Sequence, residues 1–230
     1  MSGEQSASAT PGRMPAIGRI GWMPGALGAL VGIALTGLIS FHFARIDPAL
    51  PWLIAPMGAS AVLVFVLPAS PLSQPWPVLG GHLVAAAIGL LAHWAVPLPW
   101  LAGGVAVGGA IAAMSVTRSL HPPAGGTALL TALASPGLAQ AGWHFLLAPV
   151  TLNVLALLAC GYVWNRATGH SWPHRPAPMP ALPDWAGHIE DQDLDSVLAE
   201  WNDVLDISRD DLLALIHAVE ARVRQRRNVR

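Results

Sequence analysis

The sequence has no lysine, a single cysteine and few charged residues of either sign. Charged side chains make up 11% of its 230 residues, whereas a soluble domain carries about 25%. Because Cys160 is the only cysteine, a disulfide framework or a cysteine-based metal site within the chain is excluded. A formal net charge of −1 offers no basic surface for nucleic acid. We therefore expect neither a disulfide-rich secreted domain nor a nucleic-acid-binding protein.

Apolar residues take the place of the missing charges. They make up 53% of the chain, the mean hydropathy is +0.51, and long apolar runs recur along it. Such runs are typical of a polytopic membrane protein. Between residues 48 and 165 the only charged side chain is Arg118. An arginine at membrane depth indicates a functional site, and the lack of an acidic pair or ring argues against a cation pathway.

The apolar runs predict where the chain crosses the membrane. The expected segments are residues 25–44, 52–67, 80–96, 100–116 and 143–164, with a short helix at 124–135. The four prolines between residues 68 and 77 are expected to form an irregular connection, and Pro136 with Gly137 to end the short helix. Pro149 predicts a kink in the last segment. The first run is too long for a signal-peptide core, so we expect it to be a membrane helix.

An internal repeat relates the two halves of the chain. Residues 56–63 read PMGASAVL and residues 123–130 read PAGGTALL, each between two longer apolar segments. If each short middle segment crosses fully, three segments per half give the halves opposite orientations, as in many secondary transporters. If the middle segments dip in and return, the chain has four full spans and two re-entrant loops. We favour six crossing segments, because these place Arg118 on the cytoplasmic side.

The fold predicted from these patterns is all-α. It is a polytopic helical membrane bundle with an inverted three-segment repeat, two short broken or re-entrant helices, and a small cytoplasmic helical tail. The predicted parts are a flexible N-terminus at 1–23, a transmembrane domain at 24–166, a proline-rich linker at 167–183 and a helical hairpin at 184–230.

The basic residues that flank the membrane domain predict that both termini are cytoplasmic in a cell inner membrane. The tail hairpin is expected to dock on itself or on a sister chain, which leaves a homo-oligomer open. Its terminal arginines could instead hold the membrane surface.

Residues 118–128, RSLHPPAGGTA, carry the strongest chemical signal. Pro122 and Pro123 exclude a continuous helix and suit the start of a new one, as Pro56 does in the first half. Helix amino ends carry partial positive charge and accept anions. We therefore predict that the two short helices aim their amino ends at one small inorganic anion. The predicted substrate-binding residues are Arg118, His121, Gly125, Gly126, Thr127, Gly58, Ala59 and Ser60.

Each of these residues has an expected role. The backbone amides of the two glycine- and alanine-containing turns would be free to donate, and Ser60 and Thr127 would add hydroxyl donors. Arg118 would raise the local potential, and His121 would donate a hydrogen bond or carry a proton with the anion. No metal or other cofactor is expected. His82 and its i+11 neighbour His93 share a helix face and are expected to face the interior.

Three other interpretations stay open at this stage. The motif could merely shape a tight helix junction, with Arg118 reaching the lipid headgroups and His121 capping a helix. The protein could be a non-transporting scaffold or sensor that signals through its tail. An enzyme is the weakest interpretation, because the membrane region has no nucleophile beside a base, no paired carboxylates and no zinc-ligand spacing.

Three separated stretches resemble the HPP family of integral membrane proteins. They are RSLHPPAGGTA at 118–128, APMGASA at 55–61, and the stretch from PLSQP at 71–75 to GGH at 80–82. The resemblance covers residues 24–175. It implies a multi-pass membrane protein of a family regarded as candidate transporters, with nitrite transport proposed for the family's plastid branch.

Overall fold

A computed structural model describes residues 23–43, 50–174 and 191–200, with four single positions beyond them. The elements in this part of the chain are all helical. They are α1 (Met23–Phe43), α2 (Pro56–Val66), a 3-10 turn (Pro71–Ser73), α3 (Pro75–Ala95), α4 (Pro99–Val116), α5 (Ala124–Ala132), α6 (Pro136–Ala141), a π-helical turn (Leu146–Thr151), α7 (Leu152–Ala167) and α8 (Asp191–Glu200).

Long apolar helices dominate the described residues. Four stretches are long and apolar enough to cross a membrane: Met23–His42, Pro75–Ala95, Pro99–Val116 and Leu146–Ala167. Large apolar side chains on α1 and α4, such as Leu30 and Val116, are exposed. An apolar outer surface of this kind suits contact with lipid. The prediction of an all-α polytopic membrane bundle is confirmed.

Prolines start helices at positions where the sequence predicted connections. Pro75 and Pro77 lie in the first turn of α3, and Pro136 begins α6 after α5 has ended at Ala132. The expected irregular connection at Pro75 and the expected end of the short helix at Pro136 were therefore wrong. The physical reason is that the first-turn amides of a helix need no partner within the helix, so proline is tolerated there.

The last membrane segment is kinked at its proline. Ala148, just before Pro149, has extended backbone angles of φ −141° and ψ 122° inside the helical run. Proline removes an amide donor and disfavours helical geometry in the residue before it. The predicted kink is confirmed, and α7 proper begins only at Leu152.

The six main helices form two bundles, and each half of the chain contributes to both. In the first bundle α1 packs on α2 and α7, and α2 also packs on α7. In the second bundle α3 packs on α4 and α5, and α4 also packs on α5. The third helix of each half thus completes the bundle of the other half. This set of contacts would be unchanged if the two halves were interchanged, whereas the inverted orientation stays a prediction.

The short helix α2 runs along its long neighbour α1 in one direction. A Cβ added to Gly25, near the start of α1, would lie 2.8 Å from Val66 at the end of α2. Near the end of α1, a Cβ on Gly37 would lie 2.9 Å from Trp52, which precedes α2. The chain from Trp52 to Val66 therefore runs antiparallel to α1, from one end towards the other. This course favours a crossing segment over a loop that returns to the side where it began.

The tail is described in part. Residues Asp191–Glu200 form α8, which falls within the predicted hairpin. The expected second helix of the hairpin lies outside the continuously described residues, and the predicted domain boundaries stay predictions.

Candidate functional site

The amino ends of α2 and α5 lie side by side. A Cβ added to Gly126 would lie 3.2 Å from Cγ of Pro56, and the hydroxyl of Ser60 lies 2.9 Å from Nε2 of His121. Residue numbers rise along α2 while they fall along the facing stretch, so the two starts are antiparallel. The repeat predicted that these starts would converge, and they are in contact.

The backbone amides at these starts are not free, contrary to the sequence-based expectation. The N–H of Gly58 donates to the carbonyl of Ala55 at 3.1 Å. The N–H groups of Gly125 and Gly126 donate to the carbonyls of Pro122 and Pro123, each at 3.0 Å. The reason is that proline at the start of each short helix allows a tight turn, whose carbonyls accept the first amides. The partial charge of the helix ends remains, but these three donors are already used.

Four buried side chains fill the junction of α2, α3 and α5. We call this set the histidine cluster: Ser60, His82, His121 and Thr127, each 0% exposed. The Ser60 hydroxyl lies 2.9 Å from Nε2 of both His82 and His121. Nδ1 of His82 lies 2.7 Å from the Thr127 hydroxyl, and Nδ1 of His121 lies 2.8 Å from the Leu72 carbonyl oxygen. The two imidazole rings stand edge to face, with centroids 5.2 Å apart.

A glycine allows the two histidines to approach each other. A Cβ on Gly81 would lie 2.8 Å from Cβ of His121 and 2.8 Å from the carbonyl oxygen of Ser119. No side chain fits there unless the backbone moves, so Gly81 holds residues 119–121 against α3. The glycine that precedes His82 in the sequence therefore positions His121 from the second half of the chain.

Two hydroxyls of the predicted site, Ser60 and Thr127, are joined by His82, which was not among the predicted site residues. Sequence reasoning placed His82 and His93 on one inward face, and both do contact the α5 segment: Nδ1 of His93 lies 3.1 Å from the Ala132 carbonyl oxygen. What it missed is that His82 lies level with the start of α5. The adjacent glycines of GGH were the available signal, because they permit close packing at that level.

The small residues of the predicted site are exposed or half-buried. Gly58, Ala59 and Gly126 are exposed and Gly125 is half-buried. A Cβ added to Gly58 or to Gly125 would meet no other atom within 4 Å. The first turns of both short helices can therefore be approached from outside the protein, next to the histidine cluster.

Arg118 lies outside the histidine cluster. It is exposed, has a left-handed backbone with φ 53°, and its side chain makes no hydrogen bond or ion pair with the described part of the chain. Its amide donates to the carbonyl of Ser115, and the amide of Ser119 donates to the carbonyl of Met114. These two hydrogen bonds form a Schellman motif at the end of α4. Glycine is favoured at this position, so an arginine is held there against a cost of about 1 kcal/mol.

A second buried polar group, Asn153, binds the stretch just before α2. Oδ1 of Asn153 accepts the amide of Ile54 at 2.8 Å, and its Nδ2 donates to the Ser40 hydroxyl at 2.8 Å and to the Trp52 carbonyl at 3.0 Å. We call Asn153 with Ser40, Trp52 and Ile54 the amide cluster. It joins α1, α7 and the stretch before α2.

The apolar helices and buried polar junctions define a polytopic helical membrane protein. Residues 14–173 match the family model described as HPP, transmembrane region. The chain therefore belongs to the HPP family, as the sequence motifs predicted.

Two curated transmembrane proteins of Dictyostelium discoideum are similar to this chain. The first is 34% identical over 167 residues, which cover 70% of this chain and 56% of the relative. The second is 31% identical over 150 residues, which cover 64% of this chain and 47% of the relative. The chain thus spans about half the length of these relatives. No solved structure matches it.

Proposed function

We propose that the protein is a membrane permease or channel for a small inorganic anion, with nitrite as the substrate suggested by the family resemblance. One observation carries the proposal: the amino ends of two short helices meet inside a membrane domain that has no acidic side chain between residues 50 and 165. Each helix amino end favours an anion by about 0.3–2 kcal/mol, and here two act on one place.

The exposure of both helix starts supports a small substrate. Gly58, Ala59, Gly125 and Gly126 present backbone with little or no side chain, so an ion could approach both helix ends closely. In the structure the histidine cluster fills the space behind them. An anion that crosses the membrane would therefore pass beside this cluster or displace it, which makes the cluster the constriction of the proposed pathway.

The remaining parts of the proposal follow from the charge pattern. The protein would act in a cell inner membrane with both termini in the cytoplasm. Arg118, exposed at the end of α4, would attract anions to the pathway. Transport needs no covalent step, so we propose a permease and not an enzyme.

Flux in reconstituted vesicles tests this function. Protein in phosphatidylcholine–phosphatidylglycerol vesicles should carry nitrite faster than protein-free vesicles do, and nitrate, formate and chloride would define selectivity. The substitution His121→Gln should reduce the protein-dependent flux by tenfold or more, equivalent to about 1.4 kcal/mol. His144→Gln is the matched control, because His144 is exposed and bonds only the local Ala141 carbonyl among the described residues.

The same assay can overturn the proposal. If folded protein carries none of the four anions, the permease function is wrong. A second check is deletion of residues 184–230: unchanged flux would argue against a protein that acts only as a sensor through its tail.

A further inference from the structure

We propose that the histidine cluster binds one mobile proton, whose charge neutralises the anion, so that proton and anion cross the membrane together. The anion half of this inference rests on the proposed function. The proton half rests on the hydrogen bonds of four buried side chains and is testable without any transport.

The Leu72 carbonyl fixes the protonation of His121. A carbonyl oxygen only accepts hydrogen bonds, so Nδ1 of His121, at 2.8 Å, must carry a hydrogen. In neutral His121 the other nitrogen, Nε2, is then bare and must accept. Its neighbour at 2.9 Å is the Ser60 hydroxyl, which therefore donates to it.

Ser60 in turn fixes His82. The serine hydroxyl has a single hydrogen, and that hydrogen points at His121, so Nε2 of His82 at 2.9 Å must donate to the Ser60 oxygen. Nδ1 of His82 is then bare and accepts the hydroxyl hydrogen of Thr127 at 2.7 Å. The neutral cluster is a one-way chain of donors from Thr127 through His82, Ser60 and His121 to Leu72.

A second possible acceptor for the Ser60 hydrogen, the Pro56 carbonyl, also links the orientation of Ser60 to the charge of His121. The Ser60 hydroxyl also lies 3.2 Å from the carbonyl oxygen of Pro56. If Ser60 gave its hydrogen to Pro56, both Nε2 atoms would have to donate to Ser60. His121 would then carry hydrogens on both nitrogens and would be a cation. Ser60 therefore bonds His121 when the cluster is neutral and is free to turn away when His121 is charged.

A proton added at His82 reaches His121 by short transfers. The proton forms an N–H bond at Nδ1 of His82 once the Thr127 hydroxyl turns aside. His82 releases its Nε2 hydrogen to the Ser60 oxygen, and Ser60 releases its own hydrogen to Nε2 of His121. Ser60 is again a neutral hydroxyl, His82 is again neutral with its hydrogen on Nδ1, and the single positive charge lies on His121. The direction of the chain between His82 and His121 has then reversed.

No other ionisable group in the described region competes for this role. The cluster lies on α2, α3 and α5, and the elements that contact these helices include α1, α4, α7, the turn before α3 and the π-helical turn. None of these elements carries an acidic side chain, and His42 on α1 is exposed and bonds the Leu38 carbonyl. Their remaining titratable or cationic groups are not in the cluster: His93 bonds the Ala132 carbonyl at the other end of α5, Arg118 is exposed, and Cys160, Tyr162 and Arg166 belong to the first bundle. An anion at the junction would therefore find its countercharge on the two histidines.

This arrangement gives a physical reason for coupling. A lone anion in a region of low dielectric is strongly disfavoured unless a countercharge accompanies it. A proton on His121 supplies that charge beside the helix starts and leaves with the anion, so the net movement of charge is zero. Proton and anion each strengthen the binding of the other, and the coupling is reciprocal.

Nitrogen-15 NMR of histidine-labelled protein in detergent tests the hydrogen-bond chain on which the proton half rests. Protonated and bare ring nitrogens have well-separated signals, and His82→Gln and His121→Gln assign the two rings among the nine histidines. At neutral pH we expect His121 to carry its hydrogen on Nδ1 and His82 on Nε2. In Thr127→Val protein, Nδ1 of His82 should lose its donor and its signal should shift. Thr131→Val is the control, because that hydroxyl bonds only the Thr127 and Ala128 carbonyls among the described residues.

The same signals can contradict the proposal. If both rings carry their hydrogens on the same type of nitrogen, or if Thr127→Val leaves the His82 signals unchanged, the one-way chain does not exist. Neither result depends on whether the protein transports anything.

Vesicle flux tests the coupling. With nitrite or nitrate equal on both sides, a gradient of about one pH unit should drive accumulation of up to about tenfold in the alkaline interior. Clamping the membrane potential with potassium and valinomycin should not change the result. Ser60→Ala should abolish accumulation, because it removes the hydroxyl that links His82 to His121. Ser73→Ala, another fully buried serine, should not.

The outcomes separate the two proposals. Flux that responds to membrane potential but not to the pH gradient would overturn the coupling and leave the permease function in place. Absence of flux in all conditions would overturn the permease function, while the NMR result would still decide whether the one-way hydrogen-bond chain exists.

Discussion

Two buried polar clusters hold α2, and they differ in what their groups can do. In the amide cluster, Asn153 accepts with its oxygen and donates with its nitrogen, and these roles are fixed by covalent structure. In the histidine cluster, Ser60, His82 and His121 each have a donor that becomes an acceptor when one hydrogen moves. The first arrangement has one lowest-energy pattern, and the second has at least two.

The difference teaches where rigidity and change are located along one short helix. The amide cluster fixes the chain two residues before α2, and the histidine cluster meets α2 at Ser60, one turn inside it. Loss of the amide cluster should therefore lower stability. Loss of the histidine cluster should impair function while changing stability only a little. Four substitutions test this division, in order of decreasing expected effect.

The largest effect is expected for Asn153→Leu. Leucine has a similar size but leaves the Ile54 amide and the Trp52 carbonyl without their buried partner, and each such group costs about 1–3 kcal/mol. We expect a loss of about 3 kcal/mol in unfolding free energy, measured by denaturation in detergent. Asn165→Leu is the matched control and should cost less, about 1–2 kcal/mol, because it leaves one backbone group without a partner: the Val64 carbonyl, whose i+4 residue is Pro68. Equal losses would contradict this account.

The next effect is expected for Gly81→Ala. The new methyl group would press on His121 and on the backbone of Ser119, at a cost of about 1–3 kcal/mol. Anion flux should fall even in protein that remains folded, because His121 would move away from Ser60. Gly104→Ala on α4 is the control, since a Cβ there meets no atom within 4 Å. Normal flux in folded Gly81→Ala protein would show that the spacing of the two histidines does not matter.

A smaller change in stability is expected for Ser60→Ala. Without the hydroxyl, Nε2 of His82 and of His121 lose a partner, but each ring keeps its bond at Nδ1, so we expect a loss near the lower end of the about 1–3 kcal/mol typical of an unpaired buried group. Ser40→Ala in the amide cluster should cost a similar amount, since Asn153 keeps its bonds to Trp52 and Ile54. The comparison predicts that pH-driven accumulation is lost in the first variant and kept in the second. The same behaviour in both would remove the functional distinction between the clusters.

The smallest effect is expected for Arg118→Gly. Glycine suits the left-handed backbone at this position, so unfolding free energy should rise by about 1 kcal/mol or less. Because the charge is removed outside both clusters, initial flux should fall only a few-fold at low salt and approach the wild-type value at high salt. Flux that falls as far as in His121→Gln at every salt concentration would place Arg118 in the binding site itself.

Local signals in the sequence predicted most of the helices and the meeting of the short ones. Apolar runs predicted α1, α3, α4 and the kinked last segment, and the repeat predicted that Pro56 and Pro123 begin related helices. The histidine cluster was predicted only in part. His82 reaches Ser60 because Gly81 allows residues 119–121 to approach α3, and close packing between distant segments leaves no periodic pattern in the chain. The free amides were wrong for a similar reason, because the turn geometry at each proline decides which carbonyl accepts them.

The exchange of third helices between the two bundles has a consequence for how the protein is made. As the chain emerges from the ribosome, α1 and α2 are inserted long before α7, which covers them. The second bundle, by contrast, consists of α3, α4 and α5, which are consecutive and can assemble as soon as they are synthesised. The bundle of α1, α2 and α7 is therefore the last to close. Until α7 is inserted, the amide of Ile54 lacks its hydrogen bond to Asn153.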